Sequence, residues 1–211
     1  MDIRLAADPP RHLPPQPPVP PPPPGGDPAP WLEERLFDRR VVLLSGPLTQ
    51  AAATRAAAAL LTLDALGTDP VRLHIGAGEG ELTAAFTVID ALDAMQAPVQ
   101  ALAVGEVGGA AIGVYAAAGQ RLAYRHSRFR LAEPKVAGVA GTADEVVAAA
   151  GRYLRDLEDL VLRVVAATGQ QRSRVEDDLA AGRTLTADQA REYGLVQTVL
   201  SPGPPRSGGK E

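Results

Sequence analysis

The chain has 211 residues, 45% of them hydrophobic, which is enough for one medium-sized domain with its own core. Its formal net charge of -4 argues against a nucleic-acid-binding protein, because such proteins usually present a basic face. It contains no cysteine, which excludes disulfides, a thiol nucleophile and a cysteine-based zinc site. No apolar run approaches the roughly 20 residues that span a bilayer. We therefore expect a cytoplasmic protein with no membrane partner.

The N-terminal segment is rich in proline. Thirteen prolines lie between Pro9 and Pro30, including the unbroken run from Pro20 to Pro24. Because proline lacks an amide donor and has a fixed φ, residues 1–30 are predicted to be a polyproline II or disordered leader. A ligand for a proline-binding module is the functional alternative. Residues 201–211 (SPGPPRSGGKE) are likewise expected to be a disordered tail, which leaves residues 31–200 as the folded domain.

Between these ends, short apolar runs alternate with helical patterns. Val71 to Ile75 and Val99 to Val104 are typical of buried strands, and the segments from Thr49 to Leu66 and from Glu81 to Met95 are typical of helices. The same patterns predict strands at Val41–Leu44, Arg121–Tyr124 and Phe129–Leu131, and a helix at Ala110–Ala118. The alternation indicates βαβ units, and so an α/β fold with a mostly parallel sheet covered on both faces.

A long helix is predicted from about Thr142 to Thr168. Thr142 and Glu145 have the spacing of a capping box, and Gly169 follows as a stop signal. Such a helix is about 40 Å long at about 1.5 Å per residue, which is more than a domain of this size needs to cover its sheet. We expect it to project and to pair with another subunit; a helix packed on its own domain is the alternative.

Five segments in a fixed order carry a resemblance to a known family. They are WLEERLFDRRVVLLSGPL (31–48), VRLHIGAGEGELT (71–83), VGEVGGAAIGVYAAAG (104–119), SRFRLAEP (127–134) and LTADQAREYGLV (185–196). In this order they resemble the Clp protease proteolytic subunit (ClpP) family. The resemblance implies a crotonase-like fold of repeated ββα units with a protruding handle helix. It also implies stacked heptameric rings, homomeric or mixed, that work with a Clp ATPase and need no cofactor.

The position of the serine nucleophile carries no hydroxyl. In the family this segment usually reads Gly-Gln-Ala-Ala-Ser-Met-Gly-Ala. Aligned forward from Gly105, the serine falls on Gly109; aligned back from Gly119, it falls on Ala110. No Ser, Thr or Cys occurs between Gly105 and Gly119, so neither alignment supplies a nucleophile.

The other catalytic positions are altered as well. The histidine base of the family falls on Ala132, whereas Asp178 matches the acid. In the glycine-rich oxyanion turn, Gly80 keeps the second glycine and Glu79 replaces the first. An acid without an imidazole has nothing to orient, and a carboxylate in that turn would oppose an oxyanion. We therefore expect no peptide cleavage by the serine route.

A replacement triad is not expected. His12 lies in the leader, His74 lies on a strand, and His126 precedes Ser127, whose side chain should point the opposite way on an extended segment. The remaining serines are not in nucleophile-type turns: Ser45, Ser173, Ser201 and Ser207.

Several carboxylates could line the old cleft, where a pair could do acid–base chemistry or bind a hard cation. They are Glu79, Glu81, Glu106 and Glu133. The alternative is that they are solvated or salt-bridged surface residues. Possible partners are Arg121, Arg125, Arg128 and Arg130.

The expected docking face for an ATPase is also changed. The resemblance implies tyrosines where this chain has Arg72 and His74, and aromatic residues where it has Ile89, Ala94 and Met95. Because aromatic residues supply much of the buried area in such pockets, weak or absent docking through this face is predicted.

Four functions remain open at this point. The favoured one is a non-catalytic ring component of an ATP-dependent Clp protease, which assembles alongside an active subunit. The second is a homogeneous, inactive ring that serves as a binding protein. The third is a crotonase-like acyl-CoA enzyme that uses Glu79 or Glu106. The fourth is the active serine endopeptidase that similarity alone would suggest.

Overall fold

A computed structural model describes residues 30–134 and 141–200. Of the predicted leader (residues 1–30), residues 1–29 lie outside the described residues, as does the predicted tail (residues 201–211). The helices are α1 Pro30–Asp38, α2 Gln50–Leu66, α3 Leu82–Ala94, α4 Ala111–Ala117, α5 Ala143–Thr168, α6 Arg172–Ala181 and α7 Ala187–Glu192. The strands are β1 Val41–Ser45, β2 Val71–Gly76, β3 Val99–Ala103, β4 Glu106–Gly108, β5 Gln120–Tyr124, β6 Arg128–Leu131, β7 Arg183–Thr186 and β8 Thr198–Leu200.

The strands form two sheets. The larger has five parallel strands in the order β1-β2-β3-β5-β8. The smaller has the order β4-β6-β7, with β4 parallel and β7 antiparallel to β6. Crossover connections between parallel strands need helices, which explains the alternation seen in the sequence. The predicted α/β fold with a mostly parallel sheet is confirmed.

The larger sheet is covered on one face in the described residues. Along β2, Leu73 and Ile75 are fully buried, whereas Arg72 is exposed. Along β5, Ala123 is buried and Tyr124 is 46% exposed. Such alternation is typical of a sheet with one packed and one open face. The expectation that both faces are covered is therefore wrong, because the helices α2, α3 and α4 all bury their apolar residues in one core.

The helix ends follow the predicted capping signals. The Thr49 side chain accepts a hydrogen bond from the Ala52 amide at 3.3 Å, and α2 begins at the next residue. At α5, Thr142 and Glu145 form the predicted capping box, and Gly169 ends the helix in the left-handed region at φ 69°. The hydrogen bonds from the Thr142 backbone and hydroxyl lower the pKa of Glu145. These side chains satisfy amides at helix starts that have no partner within the helix.

The long helix α5 is anchored at its C-terminal half. Its buried residues are Leu160, Val161 and Val164. Before them, Val147 is 70% exposed and Leu154 is 63% exposed. The helix therefore projects from the part of the chain that the structure describes, as predicted. Its pairing with another subunit stays a prediction.

The small sheet is fixed to the core by an aromatic pair. Tyr115 on α4 and Phe129 on β6 are both fully buried, with ring centroids 5.2 Å apart. The Tyr115 hydroxyl donates a hydrogen bond to the Leu122 carbonyl at 2.8 Å. The helix that follows Gly109 is thus held against the strand that precedes Ala132.

Candidate functional site

The nucleophile segment forms a sharp strand-to-helix turn. β4 ends at Gly108 and α4 begins at Ala111, so only Gly109 and Ala110 connect them. Gly109 has φ 54°, in the left-handed region that favours glycine, and Ala110 has φ -61° in the helical region. Both residues are buried, and neither side chain can attack or hydrogen-bond a substrate.

The predicted base position, Ala132, directly follows the strand beside this turn. β4 and β6 run parallel, with Gly108 opposite Arg130. The Gly109 amide donates a hydrogen bond to the Arg130 carbonyl at 3.2 Å. Ala132 lies two residues further along the chain and is half-buried. The structure thus brings the predicted nucleophile and base positions onto neighbouring segments, which carry only a glycine and an alanine there.

The acid position reaches the same region through α6 and β7. The Glu133 amide, next to Ala132, donates a hydrogen bond to the Leu179 carbonyl at 3.2 Å. β7 then pairs with β6, with Arg183 opposite Leu131. Asp178, which precedes Leu179 on α6, is therefore held at the same end of the small sheet as the base position.

The Asp178 carboxylate is already occupied by two arginines. Its Oδ1 accepts a hydrogen bond from Arg183 Nη1 at 2.9 Å, and its Oδ2 lies 4.0 Å from Arg174 Nε. The side chain is only 13% exposed. Both guanidinium groups also lie over the ring of Tyr193, at 5.3 Å for Arg174 and 6.0 Å for Arg183. Asp178, the predicted acid, thus joins α6 to β7 and to the Tyr193 ring.

The protonation of the Tyr193 phenol depends on this environment. Burial, and after it the neighbouring Asp178 carboxylate, raise the pKa of Tyr193 above its ordinary value of 10.0. The phenol stays protonated at neutral pH, where it cannot serve as a base.

The glycine-rich turn is held by the loop that follows β1. Leu48 forms an isolated parallel bridge with Gly80. The Leu48 amide donates to the Glu79 carbonyl at 3.0 Å, and the Glu81 amide donates to the Leu48 carbonyl at 2.9 Å. A Cβ on Gly80 would lie 2.8 Å from the Leu48 carbonyl oxygen, which real Cβ atoms do not tolerate. Close packing alone therefore requires glycine at position 80, independent of any oxyanion.

An ion pair spans the front of the same turn. Arg130 Nε lies 3.1 Å from Glu106 Oε1, and Arg130 Nη2 donates a hydrogen bond to the Gly78 carbonyl. A Cβ on Gly78 would lie 3.0 Å from Glu106 Oε1. Glu106 is thus a salt-bridged residue, which was one of the two alternatives for the carboxylates of this region. Its charge is compensated by Arg130. Glu79 and Glu81 are exposed.

A small cavity lies beside the base position. Its volume is about 210 Å³, and its wall includes Glu133, Leu157, Val161 and Leu179. Arg172 closes part of its rim and is paired with two carboxylates, Glu158 at 3.1 Å and Glu176 at 2.7 Å. The cavity can receive a side chain, but the described residues around it provide no nucleophile.

The other histidines and serines do not form a triad in the described segments. The Ser127 hydroxyl is buried and donates to the Ala103 carbonyl at 2.9 Å, whereas His126 is exposed. His74 is half-buried on β2, and burial, with Arg72 as the second cause, lowers its pKa. His12, Ser201 and Ser207 lie outside the described residues. Within the described ranges, no three His, Asp or Glu side chains gather as a metal-binding group would.

The parallel sheet, the small second sheet, the glycine-rich turn and the projecting helix together define a ClpP-type α/β subunit. The Clp protease family model matches residues 29–203, and the chain belongs to this family. Among the described helices, none has the length and apolarity needed to cross a bilayer.

Three curated relatives are each named an ATP-dependent Clp protease proteolytic subunit. Subunit 1 of Thermobifida fusca is 27% identical over 169 residues, which cover 79% of this chain and 76% of the relative. Subunit 1 of Chlamydia abortus is 30% identical over 173 residues, which cover 80% of this chain and 90% of the relative. Subunit 3 of Rhodococcus jostii is 31% identical over 175 residues, which cover 81% of this chain and 85% of the relative.

Sequence reasoning missed the groups that surround the acid. The Arg174 and Asp178 pair has the i, i+4 spacing of neighbours on a helix, so that contact was available from the sequence. Arg183 and Tyr193 come from later segments, and their approach to Asp178 depends on the return of β7 to β6.

Proposed function

We propose that this chain is a non-catalytic subunit of a Clp protease ring, which has lost the nucleophile and the base of its family. The observation that carries the proposal is the state of the acid. Asp178, the predicted counterpart of the family acid, is paired with Arg183, and Gly109 and Ala132, the predicted nucleophile and base positions, carry no reactive group. A carboxylate without an imidazole cannot activate water or a hydroxyl in the way a triad does.

The shape of the turn supports Gly109, rather than Ala110, as the former nucleophile position. A nucleophile on a strand-to-helix turn usually occupies its strained apex. Gly109 is the residue with positive φ, whereas Ala110 already has helical angles.

The first test is peptidase activity and mass of the purified chain, alone and mixed with an active Clp proteolytic subunit from the same cell. We expect no peptide cleavage and no labelling by a serine-reactive phosphonate from the chain alone, and entry into a mixed ring. Labelling of the pure chain would favour the alternative of an active serine endopeptidase, which the names of the relatives support.

A second test restores the missing groups. Gly109→Ser combined with Ala132→His should give measurable phosphonate labelling, because the hydroxyl and the imidazole would return to the two neighbouring segments. Ala110→Ser combined with Ala132→His is the matched control and should stay unlabelled. Labelling of the control alone would show that the nucleophile position is Ala110.

The open face of the large sheet supports weak docking of an ATPase by this subunit. Arg72 is exposed and His74 is half-buried where the family resemblance implies tyrosines. We expect that a ring made only of this chain does not bind a Clp ATPase tightly, and that docking occurs through a partner ring. A tight complex between the ATPase and the homogeneous ring would contradict this.

A further inference from the structure

An apolar groove lies at the edge of the large sheet, away from the site of Asp178. Its volume is about 380 Å³. α1 contributes Leu36 and Phe37 to its wall, and α2 contributes Ala52, Ala56 and Ala59. These alanines recur at spacings of four and three, so they share one helix face, and their small side chains leave the groove open. A cavity of this size and composition is suited to an apolar ligand.

The groove also includes an edge of the sheet. β1 lines it from Val41 to Ser45, and among the described strands β1 pairs only with β2. An unpaired strand edge is a template for unwanted pairing with other chains, and proteins often cover such edges or protect them with proline. A segment that fills this groove would cover both the apolar wall and the strand edge.

We propose that the first part of the proline-rich segment at residues 9–24 of this chain, from Arg11 to Pro17, occupies the groove. Residues 9–24 contain no acidic residue, and Leu13 lies beside their prolines. In polyproline II the seven residues from Arg11 to Pro17 span about 22 Å at about 3.1 Å per residue, which is close to the length of the five-residue strand β1. A polyproline II segment docks on apolar and aromatic surfaces at a low entropic cost because its conformation is largely fixed. It also has few amide donors, so it covers a strand edge without extending the sheet.

The charges at the two surfaces are complementary. The groove is rimmed by Glu33, Glu34 and Arg55, which gives the rim a net negative charge. Residues 9–24 carry Arg11 and, beside it, His12. Arginine next to a PxxP pattern, facing a carboxylate, fixes the direction in which a polyproline segment lies in its groove.

The placement of the chain ends favours this segment over the tail. The N-terminal residues lead directly into α1, which is itself a wall of the groove. Gly25 and Gly26 separate the proline run from α1 and permit a reversal of direction. The tail leaves from β8, at the opposite edge of the five-stranded sheet. A short tether gives the leader an effective concentration in the millimolar range. This inference does not depend on whether the ring is catalytic.

The absence of cysteine permits a clean test in the full-length chain. One cysteine pair, Leu13→Cys with Ala52→Cys, places thiols in the leader and in the groove. The control pair, Leu13→Cys with Ala58→Cys, uses an exposed alanine of α2 that does not line the groove. Under mild oxidation we expect the groove pair to form an intramolecular disulfide about tenfold faster than the control or more, although Ala58 is the more accessible position.

Charge reversal provides the second measurement. Arg11→Glu should slow the disulfide of the groove pair, and Glu33→Arg with Glu34→Arg in the same chain should restore it. Arg4→Glu, outside residues 9–24, is the matched control and should have no effect. Equal rates for the two cysteine pairs would overturn the proposal. Predominantly intermolecular disulfides would also overturn it, since they would show that the groove receives a second copy.

Discussion

At the scale of single residues, Asp178 shows how a carboxylate at the predicted acid position takes part in packing. Its carboxylate accepts a 2.9 Å hydrogen bond from Arg183 and lies near Arg174. A charge-assisted contact of this kind, at a side chain only 13% exposed, stabilises the packing of α6 on β7. Asp178 therefore has a structural role in this chain.

Asp178→Asn should lower the free energy of unfolding by about 0.5–1 kcal/mol, because it removes the counter-charge of two guanidinium groups that are themselves about half exposed to solvent. Its exposed neighbour provides the control, since Asp177→Asn should change stability by less than about 0.5 kcal/mol. Urea denaturation of the three proteins measures both effects. Equal stabilities of the two variants would contradict the structural role of Asp178.

Two buried phenols predict the response to alkaline pH. Burial raises the pKa of Tyr115 above its ordinary value of 10.0. Burial, and as the second cause the Asp178 carboxylate, raise the pKa of Tyr193 above the same value. The folded chain thus holds these protons more tightly than the unfolded chain. The corresponding stability is fully present below the ordinary pKa and is lost as the pH rises above about 10.

Tyr193→Phe should therefore make the decline of stability above about pH 10 shallower. Tyr115→Phe should do the same, but it should also cost about 1 kcal/mol at neutral pH, because the Leu122 carbonyl loses its hydrogen bond. Urea denaturation at a series of pH values checks both variants. If stability declined as steeply in both variants as in the parent chain, these phenols would not control the decline.

At the scale of elements, the contact of α4 with α5 decides where the long helix leaves the domain. Gly113 on α4 faces Leu160 on α5 so closely that a Cβ at position 113 would overlap the leucine side chain. Leu160 is the first buried residue of α5. The missing side chain at Gly113 thus allows the helix to be anchored by its C-terminal half.

Gly113→Ala should lower the free energy of unfolding by about 1–3 kcal/mol through overpacking against Leu160. Gly151→Ala is the matched control on α5, where an added Cβ meets only Arg155 Nη1 at an ordinary distance of 3.6 Å. There the greater helix propensity of alanine should stabilise the chain by about 0.5–1 kcal/mol. Thermal unfolding of both variants tests this, and a stabilising Gly113→Ala would contradict the packing.

The predictability of the elements depended on the strength of their apolar patterns. α2 and α5 have long apolar patterns and capping residues, and both were predicted to within a residue at each end. β4, α6, β7, α7 and β8 were missed. The strand β7 has the sequence RTLT, with one apolar residue, and it exists because it pairs with β6. Short strands of this kind are stabilised by tertiary pairing, which local patterns do not contain.

At the scale of the whole molecule, apolar surface remains exposed where another subunit would be needed to cover it. Val146, Val147 and Leu154 lie on the projecting part of α5, between 42% and 70% exposed. Exposed apolar residues that cluster on one element are typical of protein–protein interfaces. This arrangement supports assembly through α5.

Val147→Glu with Leu154→Glu should raise the dissociation constant of the assembled protein at least about tenfold, because two charges would be buried in the interface. The protein should then be found as smaller species. The free energy of unfolding of the dissociated subunit should change little. Leu66→Glu is the control, since Leu66 is 69% exposed on α2, away from α5. Analytical ultracentrifugation measures the species. Unchanged assembly in the double variant would exclude α5 as the contact.

The sequence by itself determined the fold class and the long capped helix, and it predicted the chemical character of the site. Periodicity and capping depend on neighbouring residues, and the absence of a hydroxyl at Gly109 or Ala110 and of an imidazole at Ala132 can be read directly from the chain.

The tertiary structure alone decided what Asp178 and Gly80 contact. Arg183 reaches Asp178 because β7 returns to β6, and Gly80 is required because Leu48 packs against it. Coverage of only one sheet face and the groove beside α1 likewise follow from how distant elements pack. Contacts between segments far apart in the chain are set by the fold as a whole, and local sequence patterns carry no record of them.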